Sequence, residues 1–188
     1  MLKSLWLTLL LSFLLIGCTS GSPTVTTPVE VQALLNTITQ RLNIANDVAL
    51  SKFYSGKPVQ DSERERQVIA NAESQAATYR LDTGDVRAFM KAQIEANKVV
   101  QYGRIAQWRE TGRAPAQPAA SQMAEIRTQL DALQPQMMKN LAAFVPRRND
   151  SACSSWLLAE IQRQTTDPVM LKALEQATDG LCKAQPKT

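Results

Sequence analysis

The chain has 188 residues, 44% of them hydrophobic, 20% charged and 5% aromatic, enough for one compact domain or two very small ones. It contains no histidine, which removes Ser-His-Asp and Cys-His catalysis and histidine-rich metal sites, and leaves carboxylates, amides, lysine and arginine for any chemistry. The formal charge of +4 comes from basic residues interspersed with acidic ones, a pattern that argues against a nucleic-acid partner and leaves a small anion as a candidate ligand.

Lys3 precedes an apolar run from Leu5 to Ile16, broken only by Thr8 and Ser12. The run falls short of the roughly 20 residues of a spanning helix and reads as the core of a signal peptide over residues 1–17. It ends in Leu15-Ile16-Gly17-Cys18, which resembles a bacterial lipobox, where the cysteine takes a diacylglycerol and becomes the mature N-terminus. Ordinary signal cleavage a few residues later is the plainer alternative. Both readings export the chain; lipidation of Cys18 would in addition hold it at the membrane, in the periplasm. Residues 18–28 are rich in Ser, Thr and Pro and read as a tether. In an oxidising compartment the remaining pair, Cys153 and Cys182, is expected to form a disulfide. Closing a loop of about 30 residues adds on the order of 3 to 4 kcal/mol.

From Val29 to about Gly56 there is no proline, and Leu34, Leu35, Ile38, Leu42, Ala45, Val48, Ala49 and Phe53 recur at helical spacing. Gly56-Lys57-Pro58 ends this first helix, and Asp61 or Ser62 opens a second that is expected to reach about Tyr79. A third is expected over 83–109. Gly112, Pro115 and Pro118 break the chain before a fourth marked by Met123, Ile126, Leu130, Leu133, Met137 and Leu141, with a kink at Pro135. Shorter helices near 151–164 and 167–182 finish it. No strand-type alternation of useful length appears, so the class is all-α: a six-helix, single-domain bundle over residues 29–185.

Several of these helices carry polar residues on faces that should be apolar. On the first, Arg41 and Lys52 share the stripe of Leu34, Ile38, Ala45 and Val48, with α-carbons about 16 Å apart. Long side chains so placed either grip the two ends of something small or snorkel at the edge of the core. The second helix opens with Asp61, Arg64 and Glu65 at i, i+3 and i+4, which also suits plain capping, with Ser62 and Glu65 as a capping box. The third interleaves Gln93, Asn97 and Gln101 with Phe89, Val100 and Trp108, and the fourth sets Arg127 beside Ile126 and Leu130. Four helices turning polar groups inward suggest a shared pocket. Arg41, Lys52, Arg64 and Arg127 against Asp61 and Glu65 leave room for a dianion. With no evident nucleophile, metal or histidine base, such a pocket suits a reaction that needs only conformational restraint and charge stabilisation.

Arg41, Lys52 eleven residues on, Val59-x-Asp61-x-x-Arg64-Glu65, then Asn97-x-x-x-Gln101-Tyr102 together resemble the exported, all-α chorismate mutases whose pocket lies within one chain. The segment Ala106-Gln107-Trp108-Arg109, the late arginine Arg127 and the pair Cys153 and Cys182 also fit that group. The resemblance covers about residues 30–183. It implies the rearrangement of chorismate to prephenate without a cofactor or metal. Arg41, Arg64 and Arg127 would serve the substrate's two carboxylates, and Lys52 and Gln101 the ether oxygen. Asp61 and Glu65 would serve the ring hydroxyl, and Asn97, where relatives carry Ser or Thr, the ring carboxylate. A homodimer is implied as well. Two rival classes remain at this stage: an exported helical lipoprotein that binds a dianionic metabolite without turnover, and a structural envelope adaptor.

Overall fold

The computed structural model describes residues 26–119 and 122–183; the signal peptide and lipobox expected over residues 1–18 lie outside them. The described residues form six α-helices and no strand. These are α1 (Val29–Ser55), α2 (Ser62–Ser74), α3 (Thr83–Thr111), α4 (Gln122–Phe144), α5 (Cys153–Gln164) and α6 (Pro168–Thr178). None of them is long and apolar enough to cross a membrane.

The spine is α1, which packs against α3, α4, α5 and α6. Val31, Leu34, Leu35, Ile38, Leu42, Ala45 and Ala49 line its core faces and are wholly shielded from solvent. All but Ala49 meet Met90 and Val100 from α3, Met137, Met138 and Phe144 from α4, and Leu174 from α6 in one continuous core. Each of the larger side chains contributes about 1.5 to 3 kcal/mol by leaving water. α2 buries only Ala72 and rides on α3, so it is a surface helix placed to carry polar groups. α3 and α6 approach closely at Gly103, where a Cβ would stand 2.8 Å from a methyl of Val169.

The helix ends follow local chemistry. α1 and α3 stop at Gly56 and Gly112, both left-handed (φ 69° and 63°), the conformation glycine adopts without penalty. Asp61, Asp82 and Asp167 cap α2, α3 and α6 by accepting backbone N–H groups of the first turn. The cap of α2 is therefore Asp61 rather than Ser62. Two helices are shorter than the apolar spacing suggests. α2 stops at Ser74, and a 3₁₀ turn, Ala76–Tyr79, leads to Arg80, which takes a left-handed φ of 56° and lets the Leu81 N–H reach the Ala76 carbonyl. α6 stops at Thr178, before left-handed Gly180. α4 runs through Pro135, whose missing N–H leaves the Asp131 carbonyl without its intrahelical donor.

Cys153, at the start of α5, is bonded to Cys182 beyond the end of α6, with Cα atoms 5.9 Å apart at a sequence separation of 29. Replacing both cysteines by serine is expected to cost about 3 to 4 kcal/mol, read as a lower thermal midpoint of the double variant relative to the oxidised protein. An unchanged midpoint would mean that the bridge adds nothing to the packed α5–α6 pair.

Candidate active site

The C-terminal end of α1, the connection to α2 and the second half of α3 are fastened by a small apolar cluster. Ala49, Val59 and Ile105 are its buried members; Phe53 and Trp108 pack against them and meet each other edge to face at 5.6 Å. The chain can turn back onto this cluster because Gly56 ends α1 and Val59 is drawn under. The turn delivers the Val59 carbonyl to the end of α1, where it accepts a hydrogen bond of 2.7 Å from Lys52 Nζ. Half-burial pushes the Lys52 ammonium below the usual lysine range, while Asp61 and Glu65 nearby push it back up, and burial prevails.

Asp61 and Glu65 do serve as caps. Asp61 Oδ1 accepts the Arg64 N–H at 3.1 Å, and Glu65 Oε1 reaches back to the Asp61 N–H at 3.3 Å. The other Glu65 oxygen lies 3.4 Å from Lys98 Nζ on α3, which also contacts Glu95 at 2.7 Å. Capping fixes where these carboxylates stand relative to Lys52, so the plain reading and the functional one describe the same geometry.

Arg41 is not snorkelling. It sits mid-helix and is 8% exposed, its Nε is buried without an acceptor, and among the described residues no carboxylate lies within 4 Å of it. Burial and the nearby Arg64 guanidinium together lower it to about 10, still protonated at neutral pH. A buried cation facing a second cation is costly unless an anion joins them. Arg64 itself is exposed and finds Asp131 of α4 at 3.8 Å.

Gln101 is 4% exposed on α3. Its Nε2 donates to Asn97 Oδ1 one turn earlier, and its own Oε1 is buried without a partner. An amide nitrogen carries two hydrogens, so one remains beyond the bond to Asn97. Gln93, on the same stripe, is structural: fully buried, it donates to the Ala177 carbonyl at 2.8 Å and ties α3 to α6. Arg104 is structural too, bonding Asn46 of α1 at 2.8 Å and Asp167, the α6 cap, at 2.6 Å.

The structure thus links Arg41 to Arg64, Lys52 to Asp61 and Glu65, and Gln101 to Asn97. Arg127 stands apart from these contacts, exposed on α4. Asp131 and Lys98 are additions that sequence reasoning missed. Asp131 had a local signal, its i+4 spacing from Arg127. Lys98 had none, because its partner Glu65 lies on another helix.

This arrangement places charged and amide side chains from neighbouring helices of an all-α bundle with no histidine where they can act by electrostatics. Comparison with known proteins gives the class a family. Residues 32–102, a span that holds Arg41 through Gln101, match the chorismate mutase type II family. A secreted chorismate mutase of Mycolicibacterium smegmatis is 34% identical over 154 residues, covering 80% of this chain and 84% of that protein. The crystal structure of the chorismate mutase from Burkholderia phymatum superimposes with a TM-score of 0.77 at 36% identity, over 84% of this chain and all of that one. That from Burkholderia thailandensis gives 0.77 at 31% identity, over 82% and all of that chain. The chain belongs to the chorismate mutase family, and within it to the all-α, secreted type.

Proposed function

We infer that this protein is an isomerase that converts chorismate to prephenate, an exported step of aromatic amino-acid biosynthesis. The observation that carries the reading is Arg41, a buried guanidinium that faces Arg64 and has no carboxylate within 4 Å among the described residues. A dianion satisfies both cations. In the rearrangement one C–O bond breaks as one C–C bond forms, with no net proton transfer, so the absence of histidine is no obstacle.

Arg41 and Arg64 take the two carboxylates and hold the substrate in its compact conformer; the family resemblance adds Arg127, which stands exposed on α4. Lys52 and the remaining Gln101 amide hydrogen donate to the ether oxygen, where negative charge grows as the C–O bond lengthens; interactions that strengthen on the way to the transition state are the ones that raise kcat. Asp61 and Glu65 receive the ring hydroxyl. Asn97, whose oxygen is taken by Gln101, keeps its Nδ2 hydrogens for the ring carboxylate.

Lys52 must be protonated to donate, so activity falls as pH rises through its lowered pKa. Glu65 pushes that pKa up; Glu65→Gln is therefore expected to move the alkaline limb of the kcat/KM profile to lower pH, whatever it does to KM. A limb that stays put or moves up contradicts this placement of Lys52.

Residues 1–17 act as the signal peptide and Cys18 as the lipid anchor that holds the enzyme at the membrane in the periplasm. Cys18→Ser is expected to release the protein from the membrane fraction. All of the assigned residues belong to one chain, so the homodimer expected of this group leaves each pocket complete. The functional assay is purified protein lacking residues 1–18 with chorismate, following loss of the diene absorbance. Conversion to prephenate supports the reading; binding without conversion assigns the chain to non-catalytic dianion recognition instead.

A further inference from the structure

Arg64 projects from the first turn of α2 toward two unlike neighbours. One is Arg41, whose positive charge it opposes. The other is Asp131, 3.8 Å away on α4, the only carboxylate within 4 Å of Arg64 among the described residues. The contact is too long for a hydrogen bond, and the two side chains are 48% and 69% exposed, so it is a solvated ion pair of the kind that a competing carboxylate readily replaces. Asp131 also lies one turn beyond Arg127 on the same face of α4. The polar cleft between α2 and α4, lined by Gln67, Asn71, Gln75 and Gln134, opens on this pair.

We propose that Asp131 is a positioning residue that acts through Arg64, standing in for a substrate carboxylate in the free protein and yielding Arg64 when the dianion binds. The proposal rests on the mutase reading above. Asp131 opposes binding in two ways: Arg64 must leave it, and its charge repels the incoming dianion. Both weaken binding of the substrate and of the transition state alike, so Asp131 sets KM and leaves the chemical step alone. What it supplies in return is relief of the repulsion between Arg41 and Arg64 when no substrate is present.

The test is steady-state kinetics with chorismate for the wild type, Asp131→Asn, Asp131→Glu and Glu175→Gln, at low and high salt. At low salt Asp131→Asn is expected to lower KM by about two- to fivefold, the range of an exposed ion pair, with kcat within about twofold of wild type. In about 0.5 M salt the difference closes, because solvated charges are screened. Asp131→Glu restores the wild-type KM. Glu175→Gln, which removes an exposed negative charge on α6, leaves KM unchanged. The proposal is overturned if Asp131→Asn has a KM equal to or above wild type, or if Glu175→Gln lowers it equally. No chorismate turnover by the wild type is a separate outcome, which overturns the mutase reading and this proposal with it.

Discussion

Replacing Lys52 by alanine is expected to lower kcat/KM for chorismate by about a thousandfold while the protein stays folded. The effect is large because the ammonium answers charge that appears only as the ether bond breaks. The fold tolerates the change because Lys52 is half-buried and its one structural hydrogen bond goes to the Val59 carbonyl. Losing that bond costs about 1 kcal/mol, or a thermal midpoint lower by about 2 to 4 °C for a domain of this size. Circular dichroism and melting of the variant separate the two effects. Near wild-type turnover would mean that Lys52 faces no developing charge.

Gln101→Glu is expected to move the activity optimum to acidic pH, with kcat/KM near neutrality down by about a hundredfold or more. The amide donates at every physiological pH, whereas a carboxyl in its place donates only when protonated. Burial at this position favours the neutral acid and so raises the pKa of the introduced carboxyl above the ordinary glutamate value of about 4.3. The rate therefore recovers as pH falls through that raised value. The wild-type profile lacks this acidic rise. A variant whose pH–rate profile matches wild type would remove Gln101 from the ether oxygen.

How much of this was legible before the structure varies by residue. The six helices follow from apolar spacing together with Gly56, Asp61, Gly112 and Asp167, each of which announces a turn or cap in its own residue type. The end of α2 was hidden because the chain passes through Gln75, still right-handed, into a 3₁₀ turn over Ala76–Tyr79, and no glycine or proline marks the change. α6 stops at Thr178, short of the expected 182, before left-handed Gly180. Arg41 stood out because a cation interrupts a buried stripe. Pairs such as Arg64 with Asp131 and Glu65 with Lys98 bring together residues from different helices, and no local pattern records which two exposed faces meet. Gln93 and Gln101 share a stripe and a residue type; only the structure separates the one that braces the α6 backbone from the one whose amide pairs with Asn97.

Catalysis requires that cations and amides from α1, α2 and α3 surround one small dianion. A crystal structure of the wild-type protein with a dianionic mimic of the rearranging ring system tests this most directly. The predicted result places the two carboxylates against Arg41 and Arg64, and the ether oxygen within about 3.2 Å of both Lys52 Nζ and Gln101 Nε2. A mimic bound elsewhere, or bound with its ether oxygen turned away from Lys52 and Gln101, would contradict it.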